Sequence, residues 1–271
     1  MTRHDTGVAG PLPDVYALPR VAITFDRAVC VRVWDWSETS QTVVLLTRTH
    51  GLIRGIAKGA KRERSNFAGG FEVASLGEAG VSIKRGDQLS LVTSWDPHAT
   101  FPIIRQCSTA FLGAMALVDA AQSAVQPLDP HPGLFDALVE SLERLSRERG
   151  PTCACVARFL WTVLDETGHR PEVDRDAATG EPLTRSATYA FSARLGGVVS
   201  SDSQPESWKV RSETVEFLRG LARPAPAGTR RAKAETVERA TRLLAVYLRE
   251  VVGREMPAVS AFLDAGAKAG A

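Results

Sequence analysis

The sequence predicts an α+β protein: a small five-stranded β-barrel in front, and behind it an all-α domain carrying a small irregular β-hairpin insert. Three observations in the 271 residues point there. Five short segments rich in β-branched and apolar residues precede residue 98, separated by glycine or charged turns and lacking a helical period. From Phe101 the apolar residues recur at spacings of three and four, as on helices packed by one face. Between His169 and Pro205 that period lapses into a glycine-bearing stretch with two strand-like patches.

Residues 1–19 are rich in Gly, Pro and small side chains and read as a flexible extension, without the apolar core of a signal peptide. The barrel is expected over 20–98, with strands at Ala28–Trp34, Thr42–Thr47, Leu52–Lys58, Phe71–Leu76 and Gln88–Trp95. Five strands and a basic loop favour an OB-type barrel over an SH3-like one, which composition alone does not separate. The helical domain spans 99–264. Its first stripe is Ile104, Cys107, Phe111, Met115 and Val118, and its second is Leu134, Leu138, Leu142 and Leu145. A third helix, about 152–167, buries Val156, Phe159, Leu160, Val163 and Leu164 and stops at Gly168. The insert, 169–205, holds the patches Ala187–Ser192 and Gly197–Ser200. Helices resume at Ser207–Leu221, with Trp208, Val215 and Leu218 inward, and from Arg230 to about Val252, with Val237, Leu244, Tyr247, Leu248 and Val251 inward. Residues 265–271 read as a flexible Ala/Gly tail.

Charge is concentrated where the barrel should be. From Arg48 to Arg64 six basic residues face one acid, Glu63, in a chain whose net charge is only +2. Arg48, Arg54, Lys58, Lys61, Arg62 and Arg64 thus form a positive hairpin and loop, and Lys84-Arg85 forms a second basic turn. Such a surface suits a phosphate backbone, although charge alone leaves a solvated face or an acidic protein partner open. Capture of single strands also calls for aromatic platforms. Phe67 and Trp36 are the nearest aromatics, with roles as barrel core or lid equally open. His50 reads as a turn residue beside Gly51, with phosphate or base contact the sharper alternative.

Other classes find little support. No run approaches the ~18 uncharged apolar residues of a membrane span; the longest, Ala110–Val118, ends at Asp119. The four cysteines, Cys30, Cys107, Cys153 and Cys155, lack zinc-site spacing and read as buried small hydrophobes in a reducing, cytoplasmic setting. The five histidines are scattered, and neither a phosphate-binding ATPase loop nor a nucleophile-elbow motif is present, so no enzyme is expected.

The stretch TRTHGLIRGIAKGAKRERSNF at 47–67 resembles the hallmark of the bacterial RecO family. Thr47, Gly51, Arg54, Gly55, Ala57, Lys58, Gly59, Ala60 and Lys61 carry the match, with Ser65 and Phe67 close to its end. WTVLDETGHRPEVD at 161–174, YAFSARLGGVVS at 189–200 and LLAVYLREVVGREMPAVSAFL at 243–263 are similar to later family segments, so the resemblance covers about 20–263. It implies an OB-fold and a helical domain that bind single- and double-stranded DNA without sequence specificity and anneal complementary strands. It also implies work with RecR, help in loading RecA on single strands coated by single-strand-binding protein, and nucleoid association. The family recognises the acidic, apolar C-terminal tail of single-strand-binding protein through its helical domain; Arg239, Arg242 and Arg249 are guesses for a basic rim. One departure stands out. Many members carry a four-cysteine zinc ribbon in the insert, and here the corresponding positions fall on about Asp176, Thr179, Ser200 and Ser203. With no thiolates there, a metal-free remnant is expected, held by apolar contacts of Tyr189, Phe191 and Val198, and no cofactor.

Overall fold

The computed structural model describes residues 22–84, 86, 88–147, 152–200, 206–223 and 232–269. The expected N-terminal extension, Arg85, Ser203, Arg230 and Arg231 lie outside these residues. Strands β1 (Thr24–Asp35), β2 (Gln41–Thr47), β3 (Gly51–Ala57), β4 (Leu76–Ser82) and β5 (Ser90–Ala99) close a barrel in the order β1-β2-β3-β5-β4. All neighbours are antiparallel except β3 and β5, which run parallel over Gly55–Ala57. This is the order of an OB-type barrel. Helices α1 (Pro102–Arg105), α2 (Ser108–Ala124), α3 (Pro132–Arg147) and α4 (Thr152–Glu166) follow. A three-stranded sheet comes next, from β6 (Thr188–Ser192), β7 (Gly197–Val199) and β8 (Ser207–Arg211) in the order β7-β6-β8. Helices α5 (Ser212–Ala222), α6 (Ala234–Val252) and α7 (Pro257–Ala269) complete the chain.

Alternation along the strands decides which side chains fill the barrel. Cys30, Val43, Leu45, Ile53, Val81 and Val92 point inward with Phe67, Phe71 and Trp95. Phe71 stacks on Trp95 with ring centroids 4.9 Å apart and meets Phe67 at 6.0 Å. The opposite-facing Val29, Val31, Val44, Leu46 and Leu52 belong to the same continuous apolar cluster as Leu117, Phe135, Leu138 and Leu160 of the helices. One half of the outer β1-β2-β3 face is therefore docked on the helical domain, which the sequence reading treated as a separate unit.

Polar contacts fix the docking. Arg48 on the β2–β3 turn makes a two-pronged ion pair with Asp136 of α3, at 3.0 and 2.9 Å. The Arg27 guanidinium lies 5.7 Å from the centre of the Phe135 ring. The Leu128 N–H donates to the Leu52 carbonyl at 3.1 Å. Gly51, at φ 71°, lets the α2–α3 connection come this close, because a Cβ there would sit 2.3 Å from the Asp129 carbonyl oxygen.

Several expectations need correction. The fourth strand is Leu76–Ser82, not Phe71–Leu76. Phe71 is a buried plug of the barrel, its N–H held by Gln41 Oε1 at 3.0 Å, while the glycine-rich LGEAGVS segment pairs on both edges. A Cβ at Gly77 would lie 2.3 Å from the Asp96 carbonyl oxygen, so only glycine permits that approach. Ser207–Arg211 is a strand rather than the first turns of a helix, and α5 begins at Ser212. The buried side of α2 is built from Ala110, Gly113, Ala114, Leu117 and Ala121, whereas Phe111 and Cys107 are exposed and Cys153 is half-buried. The stretch expected to fray from residue 265 is helical through Ala269. The leucine stripes of α3 and α4 are buried as read.

Candidate nucleic-acid interface

The strand register collects three connections at one end of the barrel. Trp34 pairs with Thr42, Thr42 with Ile56, Ile56 with Leu91 and Leu91 with Ser82, forming one rung across five strands. The β1–β2 turn, the basic loop after β3 and the β4–β5 turn all leave from this rung. In OB-type barrels the face of strands 2 and 3, with the first and last of these connections, is where oligonucleotides bind.

The basic loop is tied down rather than loose. The Gly59 N–H donates to Ser40 Oγ at 3.1 Å and the Lys61 N–H to the Thr39 carbonyl at 3.0 Å. Lys61 Nζ reaches Asp35 at 2.9 Å, and the Arg62 N–H closes a turn onto the Gly59 carbonyl at 3.1 Å. These bonds place Lys58 and Arg62 along an open groove of about 360 Å³ with Trp36, Ser37, Ser40, Ile56 and Gly59. Trp36 is 63% exposed. Below the groove, on the undocked half of the outer face, lie Arg54, Arg32 and Trp34, with the Arg32 guanidinium 5.7 Å from the Trp34 ring centre.

Arg54, Lys58, Arg62, Arg64 and Lys84 are exposed, and none has a carboxylate within 4 Å among the described residues. Arg32 is exposed in the same way. Such cations are available to an outside anion, whereas Lys61 shares its charge with Asp35. The structure thus brings Lys58, Lys61, Arg62 and Lys84 to one end of the barrel, with Arg54 mid-strand on the outer face and Arg64 further along the loop after β3. It adds Arg32 and Trp34, which the sequence reading missed. Their signal was the alternation in VRVWDW, where every second residue of an outer strand face is Arg or Trp.

Two predicted members do not belong. Arg48 sits at the opposite end of β2, bound to Asp136, so it is an interdomain strut. Phe67 is 5% exposed and packs in the barrel core, which leaves no face for a base. His50 also has an internal partner: its Nδ1 lies 2.8 Å from the Asp26 carboxylate, which accepts from the Thr49 N–H and hydroxyl as well. Burial pushes the Asp26 carboxyl up, but the bonds to His50 and Thr49 outweigh it and hold the group below its ordinary value.

A second groove of about 400 Å³ lies between β8 and α6, lined by Trp208, Lys209, Val210, Arg211, Thr214, Arg239, Arg242, Leu243 and Val246. Two of the three rim residues guessed from sequence are here. Arg249 is not among the lining residues; it lies near Glu250 at 3.3 Å and Glu255 at 3.8 Å. Arg239 pairs with Glu235 and Arg242 with Glu238, while Lys209 has no carboxylate partner among the described residues. Thr214 Oγ1 and Arg239 Nε are buried without a hydrogen-bond partner.

Neither groove gathers an acid, a base and a nucleophile, and no group of three metal-ligating side chains occurs among the described residues. Fold and site together define an OB-type barrel protein with a cationic, tryptophan-bearing face, docked by its other half on a helical domain. Comparison with known proteins narrows that class. Residues 22–101 match the N-terminal domain of recombination protein O, and residues 106–259 match its C-terminal domain. The chain belongs to the RecO family. It is 29% identical over 199 residues to the DNA repair protein RecO of Rhodopirellula baltica, covering 72% of this chain and 73% of that one. It is 27% identical over 252 residues to the RecO of an Anaeromyxobacter species, covering 91% and 97%. The RecO of Dehalococcoides mccartyi is 30% identical over 178 residues, covering 65% and 68%. Membership places the chain in DNA repair and recombination. No helix of the described residues is long and apolar enough to cross a membrane.

Proposed function

We propose that this protein is a non-enzymatic recombination mediator whose barrel end holds nucleic acid by its backbone. The observation that supports this best is the set of exposed, carboxylate-free cations Arg32, Arg54, Lys58, Arg62, Arg64 and Lys84 beside two exposed tryptophans. The cations neutralise phosphates, and Trp36 and Trp34 offer flat faces to bases of any identity. Single- and double-stranded DNA are both ligands on this reading, with little base selectivity. Screening the charge of two strands lets complementary polyanions approach, which is what annealing needs. Assistance to RecA loading on protein-coated single strands, and cooperation with RecR, follow from the family relationship. The protein acts in the cytoplasm at the nucleoid.

Six neutralised phosphates on a single strand give a log–log salt slope near −4, from ~0.7 per phosphate. The test is single-strand affinity and annealing by a Lys58→Glu, Lys61→Glu, Arg62→Glu variant. Both should drop by about tenfold or more at low salt. Unchanged values sink the groove assignment.

A second reading draws on the β8–α6 groove. Its apolar floor of Trp208, Leu243 and Val246 and its basic rim of Lys209, Arg211, Arg239 and Arg242 suit the acidic, apolar tail of single-strand-binding protein. On that reading the chain is an interaction scaffold with weak DNA binding. Lys209→Glu then abolishes tail capture, while the barrel triple variant leaves it intact.

A further inference from the structure

We propose that the carboxylate of Asp176 closes the insert without metal, cross-linking by hydrogen bonds the two segments that a zinc ion joins in four-cysteine members of the family. Asp176 is 6% exposed. Its Oδ1 accepts the N–H of Ala178 at 2.8 Å and of Thr179 at 3.3 Å, folding its own loop into a tight turn. Its Oδ2 accepts the N–H of Ser200 at 2.8 Å, across 24 residues of sequence. The backbone repeats the link once, where Ala177 N–H donates to the Val198 carbonyl at 2.8 Å, and Gly180 N–H closes the loop itself onto the Asp176 carbonyl at 2.7 Å. A buried carboxylate is costly unless its oxygens are satisfied, and here three amides from two segments satisfy them.

The residues present do not fit zinc. Asp176, Thr179 and Ser200 stand where the family's thiolates would be, and hydroxyls and one carboxylate already engaged with amides do not make a zinc donor set. No thiol lies in the insert, since the chain's cysteines are Cys30, Cys107, Cys153 and Cys155. The link also reaches beyond the loop. Ser200 follows β7, β7 pairs with β6, and Phe191 of β6 stacks on Trp208 of β8 at 5.8 Å and meets Tyr247 of α6 edge-on at 5.2 Å. Asp176 is thus a positioning residue for the β8 wall of the second groove. This inference does not depend on DNA binding at the barrel.

Amide exchange on the full-length chain, with and without EDTA, tests it alongside elemental analysis and an Asp176→Asn variant. Asparagine keeps the shape but turns one acceptor oxygen into a nitrogen that cannot accept. The expected result is no stoichiometric zinc, no effect of EDTA, and exchange at Ala178, Thr179 or Ser200 faster by about tenfold or more in Asp176→Asn. Barrel amides should stay protected, which separates this local opening from misfolding. One zinc per chain, EDTA-accelerated exchange in the insert, or wild-type exchange in Asp176→Asn overturns the proposal.

Discussion

Trp36 projects from the β1–β2 turn into a groove it shares with Lys58 and Arg62, and its neighbours leave most of its ring uncovered. Base stacking on such a ring is worth about 1–3 kcal/mol by alanine substitution. Trp36→Ala should therefore weaken single-strand binding by that amount in a fluorescence titration while leaving the melting temperature near its original value. Phe67 predicts the reverse. Buried against Phe71, its loss to alanine should cost about 3–5 kcal/mol of stability, read by denaturant unfolding. The two aromatics were indistinguishable in the sequence because each flanks the basic stretch. Burial depends on how the loop after β3 turns back into the barrel, and that is a tertiary fact. Arg48 was misjudged for a similar reason: its partner Asp136 is 88 residues away.

At the level of elements, the β1–β2–β3 face is divided between two tasks. Its lower half, Val29, Leu46 and Leu52, is covered by helices, and its upper half carries Arg32, Trp34 and Arg54. Four of the five strands were legible from β-branched runs and glycine turns to within a few residues. β4 was not, because its glycines lower strand propensity yet are demanded by close packing on β5. β8 was hidden because Trp208 lies seven residues before Val215 of α5, a spacing that fits a helical stripe. The dock itself can be tested. Arg48→Ala and Asp136→Ala should each reduce stability, with the double variant no worse than the sum of the singles, and should leave the salt slope of DNA binding unchanged. A changed slope would return Arg48 to the DNA surface.

Over the whole molecule, carboxylates tie the parts together. Arg48 holds the Asp136 carboxyl below its ordinary value, and Asp26 is lowered by the His50 and Thr49 bonds that outweigh its burial. Burial also acts against Asp176, and its amide and Ser200 bonds again win. A depressed carboxyl contributes its full stability above the unfolded aspartate value, about 3.9, and loses it as pH falls through the lower folded value. Unfolding midpoints should therefore drop steeply below about pH 4, with a shallower drop in Asp26→Asn. The central claim is that cations from strands β1 and β3 and from the two connections that follow β3 and β4 act on one polynucleotide. The salt dependence of single-strand affinity tests it most directly, measured for the native protein and for the Lys58→Glu, Lys61→Glu, Arg62→Glu variant. The account predicts a log–log slope near −4 that shrinks to about −3 in the variant, which loses the contacts of Lys58 and Arg62 at ~0.7 per phosphate. Equal slopes for the two proteins would contradict it.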